Sequence, residues 1–589
     1  MLFTLMSLSY SSSNSAIYTW DASQNLNQNL GLFAQNLQKL DSLVQKKSAQ
    51  KPTEFDLNLL KNQYLKVRQS YKKSESVLLY LYPDAIQKYI PAPFLKLDLV
   101  DKTNQTVFSP FGLQRIEQIL WQDTLQISEI HYLCLDLLQT NLSFLQRPAV
   151  QLTQDRQFEI ISLALVRILS QNLGSMDAPF SGATMTDIHT ILTELQSLSK
   201  DLKTPSLERM LSQSAKTILT AKSFDYGQFL IKNLNPAFRE AQNMARQAIA
   251  RSKSPLPVYV TAIHPNNTGF FDTNFFNRAF FKKSSYSAQP IQAIALGKKL
   301  FDDVNLSSTQ KIACISCHNP QLGLSDGVAQ SQGVNGFAKR NSPTLWNATF
   351  QKSFFLDGRA RTLTEQFDHV VFNSNEFNTD YLKIIEYLNS QKSYQAEFAS
   401  VYPSVQQYGI NKSVIVSAIA AYIETFVSLN SPFDRWQRGE LVAYPKSNQR
   451  GFNLFMGKAG CAACHFPPLF NGNSGPYFSD SENENIGTLD QFDTLNPQLS
   501  SDLGRGELFQ NSIANGYFRT PSLRQLKYTA PYMHKGQFKN LDQVLQFYNK
   551  GGAAGMKVSN PNQTLPSAPL NLTQKELADL RGFLESLSE

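Results

Sequence analysis

Long apolar runs are missing. No stretch of the 589 residues reaches the roughly 18 consecutive apolar residues that a helical membrane span requires. Blocks of one charge are missing too. The formal net charge is +8, yet Lys and Arg are interspersed with acids. There is no basic cluster that would track phosphates, so nucleic acid is not expected as a partner. The basic balance reads as a solvated surface. The start, MLFTLMSLSYSSSNSA, lacks a basic first segment and reads as a truncated or atypical secretory leader. With 42% apolar and 17% charged residues, the chain is neither disordered nor membrane-like, but ordinary globular protein.

A chain this long exceeds one core, and about two to four domains are expected. Apolar residues at helical spacing predict helices over 26–46, 111–141, 156–173, 205–221 and 234–251. Residues 18–250 therefore read as an all-helical domain. The tract SKSPLPVYVTAIHPNNTG (252–269) has Pro and no periodicity, which makes 251–287 a linker. Beyond it Gly and Pro become frequent. ALGKKLFDD and RGFNLFMGKAG form a weak internal repeat, implying two related modules, 288–435 and 445–589. The expected fold class is mainly α: an N-terminal helical bundle followed by two related smaller modules.

Cysteine is scarce, and four of the five stand in two frames, CISCH (314–318) and CAACH (461–465). The fifth, Cys134 in HYLCLDLL, reads as a small buried hydrophobe. A CxxC pair can be bridged, bind zinc, or add to the vinyl groups of a haem. The histidine that follows at once selects the haem reading, because it projects from the same turn as an iron ligand. Zinc would need the two pairs to converge across far more chain than the ~15–20 residues usual for zinc ribbons. Cys314 and Cys317 thus carry one haem with His318 on its iron, and Cys461 and Cys464 a second with His465. Covalent attachment implies the periplasm or an equivalent compartment.

After the first frame comes RNSPTLWNATFQKSFFLDGRARTLTEQFDHVVFNSNEF, and after the second FRTPSLRQLKYTAPYMHKGQFKNLDQVLQFYNKGG. These lines closely resemble the bacterial di-haem cytochrome c peroxidase and MauG family, from Gln289 onward. The resemblance implies two cytochrome c-like haem domains, 288–435 with a peroxidatic first haem and 445–589 with a second haem that supplies an electron. It implies a catalytic Gln and Glu at Gln366 and Glu376, where a carboxylate can shuttle the peroxide proton and an amide can position peroxide without titrating. Opposite His465 it implies Tyr548 as the axial ligand. The cytochrome c peroxidases have Met at that place and MauG has Tyr; Met533 is the other candidate here. A hard phenolate oxygen favours ferric iron, whereas Met favours ferrous. The resemblance also implies a calcium ion held by Asn341 and by the carbonyls of Thr529 and Pro531.

Three departures limit the analogy. The segment between His318 and Asn341 holds no histidine, so nothing there closes the first iron, and an always-open site is expected. Leu356 stands where the family has an inter-haem Trp, leaving Trp346 and Phe355 as candidate relays. Ala459 stands where MauG has a surface Trp that oxidises a protein substrate. In the N-terminal half, SPFGLQRIEQILW (109–121) resembles the GxHxxE line of imelysin-like domains, with Gly112 and Glu117 matching and Gln114 in the histidine position.

The expected function is reduction of hydrogen peroxide to water. Electrons would come from a small redox protein such as a cytochrome c or cupredoxin, with a homodimer as one possible assembly. The alternatives are a MauG-like oxidase of unknown substrate and a non-enzymatic electron-transfer or haem- and metal-binding protein.

Overall fold

The computed structural model describes residues 20–47, 53–90, 96–99, 105–108, 111–122, 125–147, 151–220, 223–251, 261–282, 290–509 and 511–589. The leader-like start and residues 252–260 and 283–289 of the expected linker lie outside them.

The fold is mainly α. The helices that position the sites begin with α1 (Ala22–Lys47), α2 (Glu54–Leu81), α3 (Gly112–Trp121) and α4 (Ile127–Leu145). Next come α5 (Gln154–Arg167), α6 (Thr184–Asp201), α7 (Pro205–Thr220) and α8 (Asn235–Arg251). In the second half they are α9 (Pro290–Asp302), α10 (Leu363–Phe372), α11 (Lys412–Ile423), α12 (Lys446–Met456), α13 (Leu541–Asn549) and α14 (Gln574–Glu585). The strands described are short, and one antiparallel pair matters below. It joins β1 (Asn483–Glu484) to β2 (Phe518–Arg519), with Asn483 opposite Arg519 and Glu484 opposite Phe518.

Two helices depart from expectation. The 111–141 stretch is two helices, α3 and α4, rather than one. Helix α2 escapes the periodicity because charges interrupt its buried stripe. Arg68, Lys72 and Glu75 are each 1% exposed, beside Tyr64, Tyr71 and Leu78. They are buried because they are paired. Arg68 Nε donates to Asp187 at 2.5 Å, and Lys72 donates to Glu75 at 2.8 Å and to Asp177. Arg167 donates to Glu75 at 3.2 Å and to Asp177 at 3.3 Å.

Three large cores result. One packs α1 to α4 around residues such as Leu37, Tyr71, Ile116 and Cys134. One fills the 293–426 module around Leu300, Phe398 and Ile415. The largest is shared: apolar faces of α5 to α8 pack with residues 429–587. The N-terminal helices therefore divide between two cores, and the second is continuous with the later module.

Residues 261–282, where the sequence suggests a linker, join this shared core. Phe270 stacks on Phe238 at 4.3 Å, and Phe271 meets Phe433 at 5.3 Å. Phe276 packs on Phe350 at 4.8 Å and on Phe478 at 5.0 Å. Burying each such ring stabilises the fold by about 1.5–3 kcal/mol, so the segment fastens three parts of the chain together.

The internal repeat is visible as close helix packing. A Cβ on Gly297 of α9 would lie 2.0 Å from Ala418 O of α11, and one on Gly451 of α12 would lie 2.0 Å from Asp579 O of α14. In each module a glycine lets the C-terminal helix approach the helix that leads into the CxxCH frame.

Candidate active site

Cys314–Cys317 forms a single helical turn, and His318 closes it by donating its backbone N–H to Cys314 O at 3.0 Å. The His318 ring lies with Nδ1 3.2 Å from Leu324 O. A carbonyl only accepts, so Nδ1 carries the proton and Nε2 keeps its lone pair. The second frame repeats this arrangement. His465 donates its backbone N–H to Cys461 O at 3.0 Å, and its Nδ1 lies 3.1 Å from Pro521 O. Burial pushes both imidazoles down, His465 to about 4, so both rings are neutral and ready to ligate.

Burial pushes the thiols up, Cys314 to about 12, Cys317 to about 11 and Cys461 to about 12. Among the described residues no three His, Cys, Asp or Glu side chains gather to hold a metal ion, so the two pairs do not converge on zinc.

Near the second frame the lining fits a bulky polar group. Arg519 is 3% exposed and its Nη1 has no hydrogen-bond partner among the described residues. Asn473 Oδ1, Asn483 Oδ1 and Thr520 Oγ1 are likewise buried and unpartnered. Buried polar atoms are rarely left so; a carboxylate-bearing cofactor such as haem would satisfy Arg519. Burial lowers that guanidinium to about 10, against the pull of Asp357.

Tyr548 sits near the end of α13, packed edge-on to Phe547 at 5.6 Å. Burial raises its phenol above the ordinary value, and the charges of Cys464, Cys461 and Glu484 raise it further. The phenol thus shares one electrostatic neighbourhood with both cysteines of the second frame. Met533, the other candidate ligand, packs in the same small cluster with Phe538 and Phe547.

In the first module, Gln366 is half-buried on α10, whose N-cap Thr362 accepts the Glu365 N–H at 3.1 Å. After α10 the chain folds back, Phe377 donating to Val370 O and Thr379 to Val371 O, which brings Glu376 beside the helix end. Glu376 is half-buried and accepts from Asn373 Nδ2 at 2.7 Å. Burial raises its pKa above the usual carboxylate range, with Arg359 opposing. Burial is the main cause that raises the Cys317 thiol, and the charge of Glu376 adds a smaller push in the same direction. His369 is exposed and edge-on to Phe355 at 5.6 Å.

The histidine-free segment is held down on that turn. Val334 N–H donates to Asn375 O at 3.1 Å, and Asn335 Nδ2 donates to Ser374 O at 2.8 Å. A Cβ on Gly333 would lie 1.6 Å from Asn375 O, so only glycine permits the approach. Sequence reasoning noticed this segment for what it lacks and missed what anchors it; the anchors are backbone groups and carry no motif.

The two modules meet at the turn 354–360. Arg519 N–H donates to Leu356 O at 2.7 Å, and Arg505 Nη1 donates to Asp357 O at 2.8 Å. Arg340 reaches Asp357 and holds Asp502 with two bonds of 2.8 Å. Phe355 lies on this junction, its ring 3.4 Å below the Arg359 guanidinium, whereas Trp346 faces Phe426 in the module core. Asn341 donates its backbone N–H to His534 O at 2.9 Å and its amide to Val328 O at 2.7 Å. It thereby touches the 529–534 turn that contains Thr529 and Pro531. Ala459 is 8% exposed, so that position offers no surface site.

Gln114 and Glu117 of α3 are buried at 3% and 0% exposure. Gln114 Nε2 donates to Met176 O at 2.7 Å, and Glu117 accepts the Ser181 N–H at 2.8 Å.

Comparison with known proteins agrees with these features. The family model of di-haem cytochrome c peroxidase matches residues 291–441. Methylamine utilization protein MauG of Methylorubrum extorquens is 36% identical over 299 residues, 50% of this chain and 78% of that protein. Cytochrome-c peroxidase IdrP1 of Denitromonas iodatirespirans is 36% identical over 324 residues, 50% of this chain and 81% of that protein. Among solved structures, a MauG-like protein associated with microbial copper homeostasis aligns with a TM-score of 0.45 and 26% identity, over 52% of this chain and 91% of that one.

Proposed function

The chain belongs to the di-haem cytochrome c peroxidase and MauG family, and is an oxidoreductase acting on peroxide; from that premise we propose that it reduces hydrogen peroxide to water in the periplasm. The first haem is held by Cys314, Cys317 and His318, the second by Cys461, Cys464 and His465. The observation that carries this reading is the shared geometry of the two histidines. Each commits Nδ1–H to a backbone carbonyl, which leaves Nε2 for iron.

Haem iron, when bound, supplies the peroxide-binding position and the redox chemistry that splits the O–O bond. The chain supplies proton traffic and positioning. Glu376 accepts the peroxide proton and returns it to the departing oxygen, so that two protons and two electrons convert one peroxide to two waters. Its raised pKa suits it to hold that proton, and Asn373 fixes its orientation. Gln366 positions peroxide without titrating. Tyr548 would help hold the second haem, its phenol oxygen supplying a hard ligand to the iron. Asn341 and the carbonyls of Thr529 and Pro531 would hold a calcium ion, which would tie the first module to the second. Electrons come from a small redox protein, a cytochrome c or cupredoxin.

Tyr548 also favours a second reading, a MauG-like oxidase, because hard oxygen ligation stabilises oxidised iron. Buried Ala459 speaks against oxidation of a protein substrate by the route MauG uses. The experiment is addition of peroxide to the fully oxidised holoprotein, followed by absorption spectroscopy and peroxide consumption. Reaction without prior reduction is expected, since no histidine lies between His318 and Asn341. A strict need for pre-reduction overturns the open site, and absence of peroxide consumption overturns the peroxidase.

A further inference from the structure

The second CxxCH frame is covered from outside its own module. A Cβ on Gly174 would lie 2.5 Å from Ala462 O and 2.9 Å from Ala462 Cβ. Ala462 is the first of the two residues between Cys461 and Cys464, and it is 0% exposed. Gln171 Nε2 donates to Gly475 O at 2.7 Å, and Tyr477 returns a bond from its hydroxyl to Leu79 O at 2.9 Å. On the other flank, Gly227 N–H donates to Asn453 Oδ1 at 3.4 Å, and Gly457 lies within a Cβ's reach of the Tyr226 ring at 3.3 Å.

The segment that makes this contact is fixed from behind. Asn172 Nδ2 donates to Asp177 at 2.8 Å across the 172–177 turn, and Asp177 is paired with Lys72 and Arg167 in the buried ion network. Gln114 holds Met176 O, and Glu117 holds the Ser181 N–H. The polar residues of α3 thus clamp the covering loop.

We propose that the N-terminal helical half is a built-in cover over the cysteine edge of the second haem, occupying the face where a donor protein would otherwise dock. The inference rests on the reading that Cys461 and Cys464 hold haem. Thioethers form at the porphyrin edge, and the covered Ala462 lies between the two half-buried cysteines that would form them. A protein donor needs close approach to a haem edge, and here electrons enter the second centre through another face. A small reductant is not so restricted.

The test uses the holoprotein and Gly174→Leu, whose side chain cannot fit against Ala462. Reduction of the second haem is followed with two probes, an acidic mono-haem cytochrome c, matched to the net charge of +8, and hexaammineruthenium(II). The cover predicts that Gly174→Leu speeds reduction by the cytochrome about tenfold while the small reductant changes less than about twofold. No acceleration by the cytochrome, or equal acceleration by both, overturns the proposal. Amide hydrogen exchange gives an independent readout. Residues 461–465 of the parent are expected to exchange slowly and to speed up about tenfold in Gly174→Leu; exchange in the parent as fast as an exposed loop overturns the cover. If Gly174→Leu does not fold, Gln171→Ala is measured in the same way, with smaller changes in the same direction expected and none counting against the cover. A parent that consumes no peroxide refutes the peroxidase reading, while amide exchange still decides the cover.

Discussion

At the scale of single residues, Glu376 and Tyr548 carry the sharpest predictions. Glu376→Gln keeps the shape but removes the titrating oxygen. Peroxide turnover is expected to fall by about 10²–10⁴-fold with the haem spectra unchanged. The parent's acid limb in a pH–rate profile is expected above the ordinary carboxylate range, because burial raises the Glu376 pKa; the limb should vanish in Glu376→Gln. Tyr548→Phe removes the phenol oxygen, and the second haem's absorption and magnetic spectra are expected to change; unchanged spectra would assign the ligand to another residue such as Met533. Much of this scale was legible in the sequence. CxxCH is local chemistry, readable because one turn dictates where its three side chains lie. Leu356 was legible as a departure but not as a contact. Its structural work is done by its carbonyl, which accepts from Arg519, and any side chain supplies a carbonyl.

Among elements, the histidine-free segment and the inter-module turn behave as fixed parts. Gly333→Ala places a methyl where Asn375 O stands. It is expected to shift the Glu376 turn and lower peroxide turnover about 10- to 100-fold, with the fold intact by circular dichroism. At the junction, burial alone would raise Asp502, but its bonds from Arg340 hold it well below the usual carboxylate value. The folded pKa lies below the unfolded value of about 3.9. The pair therefore stabilises the junction above that pH and loses its contribution as pH falls. Thermal melting below about pH 4 should show the loss, and Asp502→Asn should flatten that part of the curve. Helix α2 marks the limit of sequence reading at this scale. Buried Arg68, Lys72 and Glu75 look like a solvent face to any periodicity, and only their partners on α5, α6 and the 172–177 turn, far along the chain, justify their burial.

For the whole molecule, helices α5 to α8 share a core with the second module, which no composition shift announced. The Pro-containing tract at 252–269 looked like a boundary, and the phenylalanines beyond it were too irregularly spaced to show a period. Asp177→Asn leaves Lys72 and Arg167 with Glu75 as their one remaining shared carboxylate, and a loss of about 3–5 kcal/mol is expected, read from the denaturant midpoint. The shared core also sets a timetable. Helices α5 to α8 are synthesised early, yet the surface that covers their apolar faces comes from residues 429–587, made later. These four helices must therefore wait, incompletely packed, until that surface arrives. Once it does, Ala462 disappears beneath Gly174, so the second haem has to be joined to its cysteines before the chain finishes folding.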